Sequence, residues 1–255
     1  MTILVCVTAG VPAATLAARG TAPRSGTGRF TLPTDQLGRH DAAAVASAVG
    51  LAADREDVVA VSVGGQAADA GLRIALAQGC GRAIRVDRSD DLDGPTVAEL
   101  LAGVVGTLPG PVTVVTGVRG SAWETGQVPG LLACRLGVVY LAGVTGVDAT
   151  GDGLAGHWRS AAGDAEATAP RAAVVSVART AGNRPTVPSL HATVGAFEPD
   201  IDVVAPAATS EVPVATLIGS RVPDPARQPV RFGVGELDQA ASAVATRLLH
   251  HYVGH

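Results

Sequence analysis

The residues of this sequence best placed to do chemistry are Gly117-Val118-Arg119-Gly120-Ser121-Ala122-Trp123-Glu124-Thr125-Gly126-Gln127. They follow an apolar, β-branched run, Val112-Thr113-Val114-Val115-Thr116, and precede a segment with helical patterning to Leu136. Glycines leave backbone N–H groups open to a close-lying ligand. Thr125, Gly126 and Gln127 stand where a helix starts, and the partial positive charge there favours an anion. Arg119 adds a full cation. This pattern predicts the holding of a phosphate, that of an adenine nucleotide, at the edge of a parallel sheet.

Other chemistries are excluded by residue type. All 19 basic side chains are Arg, so no Walker lysine exists and a P-loop phosphotransferase is ruled out. There is no GxSxG elbow and no His/Asp/Ser set at a recognisable spacing, so no nucleophile or general base is proposed. Cys6, Cys80 and Cys134 form no CxxC pair, which argues against a zinc site and for three small buried hydrophobes. Asp87, Asp90, Asp91 and Asp93 read as a solvated loop. The formal net charge of −4 disfavours a nucleic-acid partner.

The phosphate loop needs elements to aim it. Ile3–Val7, Asp57–Val63, Arg82–Val86 and Val112–Thr116 read as buried strands. Helices alternate with them. One starts near Asp41, which reads as its cap, and runs to about Ala53. One passes through Leu72 and Leu76 and stops at Gly79. One opens at Asp93-Gly94-Pro95-Thr96, and one runs from about Gln127 to Leu136 before Gly137. Strands alternating with single helices make parallel β-α-β units covered on both faces. Val7, Val63 and Thr116 are then neighbours at the carboxyl edge, where open α/β sheets bind ligands. Thr8-Ala9-Gly10 and Gly64-Gly65 follow two of those ends. Gly64-Gly65 serves equally well as a simple turn.

Beyond Val144 the pattern changes. Val144–Thr150 and Leu154–Ser160 flank Gly151-Asp152-Gly153, a hairpin signature. With the apolar run Ala172–Val177 they read as antiparallel additions to the parallel sheet. Prolines recur from Asn183 to Gly235, a stretch expected to be a tail or an arm laid over a partner. A last amphipathic helix, Glu236–Leu249, places Leu237, Ala240, Val244 and Leu248 on one face. The expected division is a nucleotide-binding α/β domain over 1–190 and a C-terminal arm with its helix over 191–255. His250, His251 and His255 read as solvated. The opening residues carry no basic leader and are too short to span a bilayer, so a cytoplasmic protein that is not integral to a membrane is expected.

The loop from Gly117 to Gln127, continued by Val128-Pro129, resembles the nucleotide loop of the beta-subunit family of electron transfer flavoproteins, which reads G-[RK]-Q-[ST]-I-D-G-D-T-G-Q-V. Ile3-Leu4-Val5-Cys6-Val7 is similar to the family's opening I-L-V-x-V-K. Ala75-Leu76-Ala77-Gln78-Gly79-Cys80-Gly81-Arg82-Ala83-Ile84 is similar to A-L-A-M-G-A-D-R-A-I. Asn183-Arg184-Pro185-Thr186-Val187-Pro188-Ser189-Leu190 is similar to N-E-P-R-Y-P-S-L. The motifs occur in the family's order.

The resemblance implies a Rossmann-like fold of the adenine-nucleotide alpha-hydrolase type. It implies a heterodimer in which an alpha subunit carries most of an FAD site, while the beta subunit buries AMP or, in electron-bifurcating members, a second FAD. Such a carrier takes electrons from a dehydrogenase and passes them to a quinone reductase or another acceptor. By position, the nucleotide site comprises Cys6, Val7, Ala9, Val63, Gly64, Gly117, Val118, Arg119, Gly120, Ser121, Glu124, Thr125, Gly126 and Gln127. His40 falls where the family has an aromatic near the partner's flavin, and an exposed loop histidine is the alternative. Leu190, with Pro188 and Ser189, matches the anchor of a loop that docks dehydrogenases, and a buried loop leucine is the alternative.

The departures from the family pattern are local. Thr8 replaces a lysine, Gly38-Arg39-His40 replaces Asn-Pro-Phe, Val118-Arg119-Gly120 replaces Arg-Gln-Ser, and Ala122 replaces the first Asp. Phe197-Glu198-Pro199-Asp200 lies near the place of a lysine-rich run. These departures resemble a specialised actinobacterial branch serving a dedicated dehydrogenase, such as those linked to the redox cofactor mycofactocin. A stand-alone adenine-nucleotide-binding module of the same fold is the alternative. A nucleotide hydrolase would need an SGGxDS-like or HxGH-like motif, which the sequence lacks.

Overall fold

Strands form where β-branched residues run together and both faces can be buried. The structure is a computed structural model that describes residues 1–8, 37–88, 92–120, 125–161, 163–206, 232–233 and 235–253. The four predicted strands are present as β1 (Thr2–Cys6), β2 (Val58–Gly64), β3 (Arg82–Asp87) and β4 (Val112–Gly117). The helices between them are α1 (Arg39–Leu51), α2 (Asp69–Ala77) and α3 (Gly94–Thr107), and α4 (Val128–Leu136) follows β4.

Their ends follow local chemistry. Asp93 caps α3 by accepting from the Thr96 amide at 2.9 Å, with Pro95 in the first turn. Gly137, at φ +66°, ends α4 in the left-handed conformation. Asp41 departs from its expected role. The cap of α1 is Gly38, which makes no side-chain bond, and Asp41 lies inside the first turn, buried. Two members of the acidic run also have structural partners, since Asp93 is a cap and Asp87 pairs with Arg85. Asp90 and Asp91 lie outside the described residues.

With β5 (Val139–Val144), β9 (Ala173–Val177) and β10 (Asp202–Val204), the main sheet has seven strands in the order β10-β3-β2-β1-β4-β9-β5, and every pairing is parallel. α1 and α2 pack on one face with Ile3, Val5, Val115 and Val175. Leu101, Val104 and Leu132 of α3 and α4 pack on the other with Leu4, Val61 and Val114. The core is Val, Leu and Ala, as the scarcity of aromatics requires.

β5 (Val139–Val144) was not foreseen, and β9 (Ala173–Val177) is not an antiparallel addition. β9 lies inside the parallel sheet between β4 and β5. All five of its residues are buried, the mark of a strand covered on both faces, whereas a half-solvated antiparallel strand would alternate. The hairpin is present as β6 (Gly146–Ala149) and β7 (Gly153–Ser160), with β8 (Gly163–Pro170) completing a separate three-stranded antiparallel sheet. Leu154 and Ala169 of this sheet join the core beneath α1.

The Pro-rich stretch begins with structure. α5 (Leu190–Gly195) is followed by β10 (Asp202–Val204), which adds to the edge of the main sheet beside β3. The rest of the arm, 207–231, lies outside the described residues. A second compact unit contains α6 (Leu237–Val253). On its predicted apolar face Leu237 and Val244 are exposed. The side chains of Leu248, His250 and His251, and all of His255, lie outside the described residues.

Candidate nucleotide site at the carboxyl edge of the sheet

β1 sits between β2 and β4, pairing Cys6 with Val61 and Val5 with Val115. The strand order reverses here, since the chain moves outward through β2 and β3 and then returns to β4 on the other side of β1. Such a switch point opens a crevice at the carboxyl ends of the strands. The ends of β1, β2 and β4 meet there, as the sequence predicted.

The first turn of α1 closes one side of this edge. Asp41 Oδ2 accepts the Thr8 amide at 3.1 Å, holding the chain as it leaves β1. His40 Nδ1 accepts the Arg179 amide at 3.3 Å, beyond β9. Gly117 ends β4 against both residues. A Cβ built there would lie 2.7 Å from Asp41 Oδ1 and 2.8 Å from His40 Cβ, so only glycine lets helix and strand approach this closely.

Burial pushes the Asp41 carboxyl up from its ordinary 3.8 to about 7, against the lowering effect of the Thr8 amide. Burial, then the neighbouring charge of Asp41, pushes the Cys6 thiol up to about 12, so it is no thiolate nucleophile. Burial alone does the same to Cys80. Cys134 is exposed, against the expectation of three buried cysteines.

The loop after β4 folds back on itself. The Val118 amide donates to the Val177 carbonyl at 3.1 Å, extending the β4–β9 ladder. Gly126 has φ +65°, and a Cβ there would lie 2.8 Å from the Val118 carbonyl oxygen. The loop's two described ends are therefore pressed together by a residue that must be glycine. A Cβ on Gly120 would lie 3.4 Å from Thr8 Oγ1, which brings the loop to the end of β1. Arg119 is exposed. Gln127 directly precedes α4, and its side chain lies against Gly94 at the start of α3.

Cys6, Val7, Val63, Gly64, Gly117, Val118, Arg119, Gly120, Thr125, Gly126 and Gln127 thus fall on the carboxyl ends of three adjacent strands and the described parts of the following loop. Ala9, Ser121 and Glu124 lie outside the described residues. His40 is neither a free loop histidine nor far from the loop, because it belongs to the first turn of α1 against Gly117. The principal residue that sequence reasoning missed is Asp41. Its signal was a lone acid at a helix start, which read as a cap, and only the strand across from it shows that it is buried. Thr116 was read only as a strand end. Its Oγ1 is buried with no hydrogen-bond partner among the described residues.

Pro188, Ser189 and Leu190 lie elsewhere. Ser189 caps α5 by accepting from the Ala192 amide at 3.1 Å. His191 and Ala192 share a small cleft with Arg55, Leu76 and Cys80, at the amino ends of β2 and β3. Leu190 is 81% exposed, which excludes the buried-leucine alternative. A larger cleft, about 390 Å³, lies between the middle of α1, Gln78, Thr145 with the start of β6, and Asn183–Thr186. The loop has the switch point of the sheet behind it, and that cleft does not.

The class the fold defines is the doubly wound parallel α/β domain, with its strand order reversing at β1. The model of the electron transfer flavoprotein domain family matches residues 33–217, most of the chain. The chain belongs to the electron transfer flavoprotein family. Among the described residues no helix is long and apolar enough to cross a membrane, and no group of acidic, His or Cys side chains is arranged to hold a metal ion.

Proposed function

We propose that this chain is the beta subunit of a heterodimeric electron transfer flavoprotein, working in the cytoplasm. It pairs with an alpha subunit that holds most of an FAD site, and it holds an adenine nucleotide, AMP or a second FAD, at its own carboxyl edge. Electrons pass from a dehydrogenase donor through the FAD to a quinone reductase or another acceptor. The departures from the family pattern favour a dedicated donor, of the kind that serves mycofactocin-linked enzymes. When bound, the flavin supplies the one- and two-electron chemistry, and the protein supplies binding and orientation.

The observation that carries the reading is the approach of Gly117 to His40 and Asp41, in a chain of this family. Gly117 lets α1 close on the end of β4, and Gly126 lets the loop close on the Val118 carbonyl; a phosphate would then be taken by loop amides beside this packed edge. The Thr116 hydroxyl, without a hydrogen-bond partner among the described residues, and the Asp41 carboxyl are polar groups enclosed at the same edge, and they suit the donors and acceptors of a nucleotide. Arg119 is free to place its guanidinium on a phosphate. His40, at the junction of α1 and β4, is the residue turned to the partner's flavin. The C-terminal arm and α6 dock on the alpha subunit, which accounts for the exposure of Leu237 and Val244.

Co-expression with an alpha-type subunit tests this. The expected product is a yellow heterodimer whose denatured extract contains FAD and an adenine nucleotide by mass spectrometry. Two colourless proteins that do not associate overturn it. A monomer or homodimer that binds AMP or ATP without flavin establishes the stand-alone module instead.

A further inference from the structure

We infer that the cleft of about 390 Å³ beside α1 binds a free α-amino acid, with Arg184 taking the carboxylate and Asp148 the ammonium group. The cleft shares no residue with the carboxyl-edge site, so it would serve a second ligand.

Four pieces of the fold meet there: α1, the end of α2, the start of β6 and the segment after β9. They are tied together before any ligand arrives. Asn183, buried, accepts the Thr180 amide and donates to the Ala178 carbonyl, each at 2.7 Å. Thr180 Oγ1 donates to the Thr145 carbonyl at 3.3 Å, and the Thr145 amide donates to the His157 carbonyl at 2.7 Å. Gly79, at φ +116°, seats the end of α2 on α1, where a Cβ would lie 3.4 Å from Val49 Cγ1. The volume falls in the range of small-molecule sites, about 300–1,000 Å³. Walls already fixed cost little ordering entropy on binding.

The side chains around the cleft carry hydrogen-bonding capacity that the protein leaves unused. Ser47, Gln78, Arg184 and Thr186 make no side-chain hydrogen bond or ion pair among the described residues. Gln78 Oε1 is enclosed without a partner among them, and rotation about the last side-chain bond exchanges it with the amide nitrogen. Asp148 lends Oδ2 to His157 at 2.8 Å and keeps Oδ1 unengaged among the described residues.

Charge selects the ligand. Arg184 and Asp148 line one cleft and form no ion pair with each other. A lone anion drawn to Arg184 meets the Asp148 carboxylate, and a lone cation drawn to Asp148 meets the guanidinium. An α-amino acid carries both charges on one small frame and satisfies the two together. Guanidinium and carboxylate pair through two parallel hydrogen bonds, which fixes the orientation. The Gln78 amide and the Ser47 and Thr186 hydroxyls are then left for a polar side chain.

The test uses the full-length chain and saturation-transfer NMR with each proteinogenic L-amino acid at millimolar concentration. Propionate and propylamine serve as the single-charge controls. At least one amino acid is expected to bind, and neither control. Arg184→Ala and Asp148→Asn are each expected to weaken that binding by about tenfold or more, with the unfolding midpoint unchanged. Asp148→Asn keeps an oxygen for His157, so the small sheet stays intact. No transfer to any amino acid overturns the inference. So does propionate binding as tightly as the best amino acid, or binding that neither variant weakens.

Discussion

The Thr8 amide donates to Asp41 Oδ2 at 3.1 Å, tying the end of β1 to the first turn of α1 across the open edge of the sheet. The bond fixes a helix start over a strand end. It also buries a carboxyl whose charge the surroundings do not fully compensate. A residue that sets stability therefore borders the proposed nucleotide site.

The sign of the pH effect follows from the raised pKa. Between the ordinary 3.8 and about 7, folded Asp41 keeps a proton that the unfolded chain releases. Stability is thus lost as pH rises through that window, and the loss is complete above about 7. Asp41→Asn removes the titration and keeps an oxygen for the Thr8 amide. Its advantage over wild type should grow by a few kcal/mol between pH 4 and pH 8, at about 1.4 kcal/mol per pKa unit. Urea unfolding of both proteins at the two values checks this, and a pH-independent difference refutes it.

Gly117→Ala should open the contact between β4 and α1. The added methyl meets backbone and a buried carboxyl, neither of which can rotate away, so a cost of about 1–3 kcal/mol is expected. Chemical denaturation gives the stability. The adenine-nucleotide content of the purified heterodimer should fall with it.

Arg119→Ala separates binding from folding. Arg119 is exposed, so the unfolding midpoint should move by less than about 0.5 kcal/mol. A lost charge-assisted contact to phosphate is worth about 1.5–3 kcal/mol, which predicts at least tenfold weaker nucleotide binding by calorimetry. Unchanged affinity would mean that backbone amides alone hold the phosphate.

Ser176 tests the strand order. Its buried Oγ accepts the Gly143 amide at 2.8 Å and bonds the Tyr140 hydroxyl at 2.9 Å, joining β9 to β5. Ser176→Ala strands both groups and should cost about 1–3 kcal/mol. Hydrogen exchange should quicken at Gly143 and leave the β1–β2 ladder unchanged.

Much of the fold was legible because its signals are local. β1 to β4 are β-branched runs, Gly79 and Gly137 stop helices through backbone freedom, and Asp93 caps through its own side chain. β9 was read with the wrong neighbours. A buried run does not state which strands cover its edges, so Ala173–Val177 looked the same beside a hairpin as between β4 and β5. β5 was hidden because Tyr140, Ala142 and Gly143 interrupt its apolar pattern, and pairing with β9 supplies what propensity lacks.

The candidate site divides the same way. From sequence alone came the glycines, the arginine and the helix start of the Gly117–Gln127 loop, the family motifs and the exclusion of lysine chemistry, because each depends only on residue type and short spacing. Only the tertiary structure decided that Asp41 is buried rather than capping, that His40 abuts Gly117, and that Leu190 stands exposed near the amino ends of β2 and β3. Burial and opposition across a sheet depend on residues distant in sequence. A carboxyl on the first turn of a helix gives no sign of the strand end that will face it.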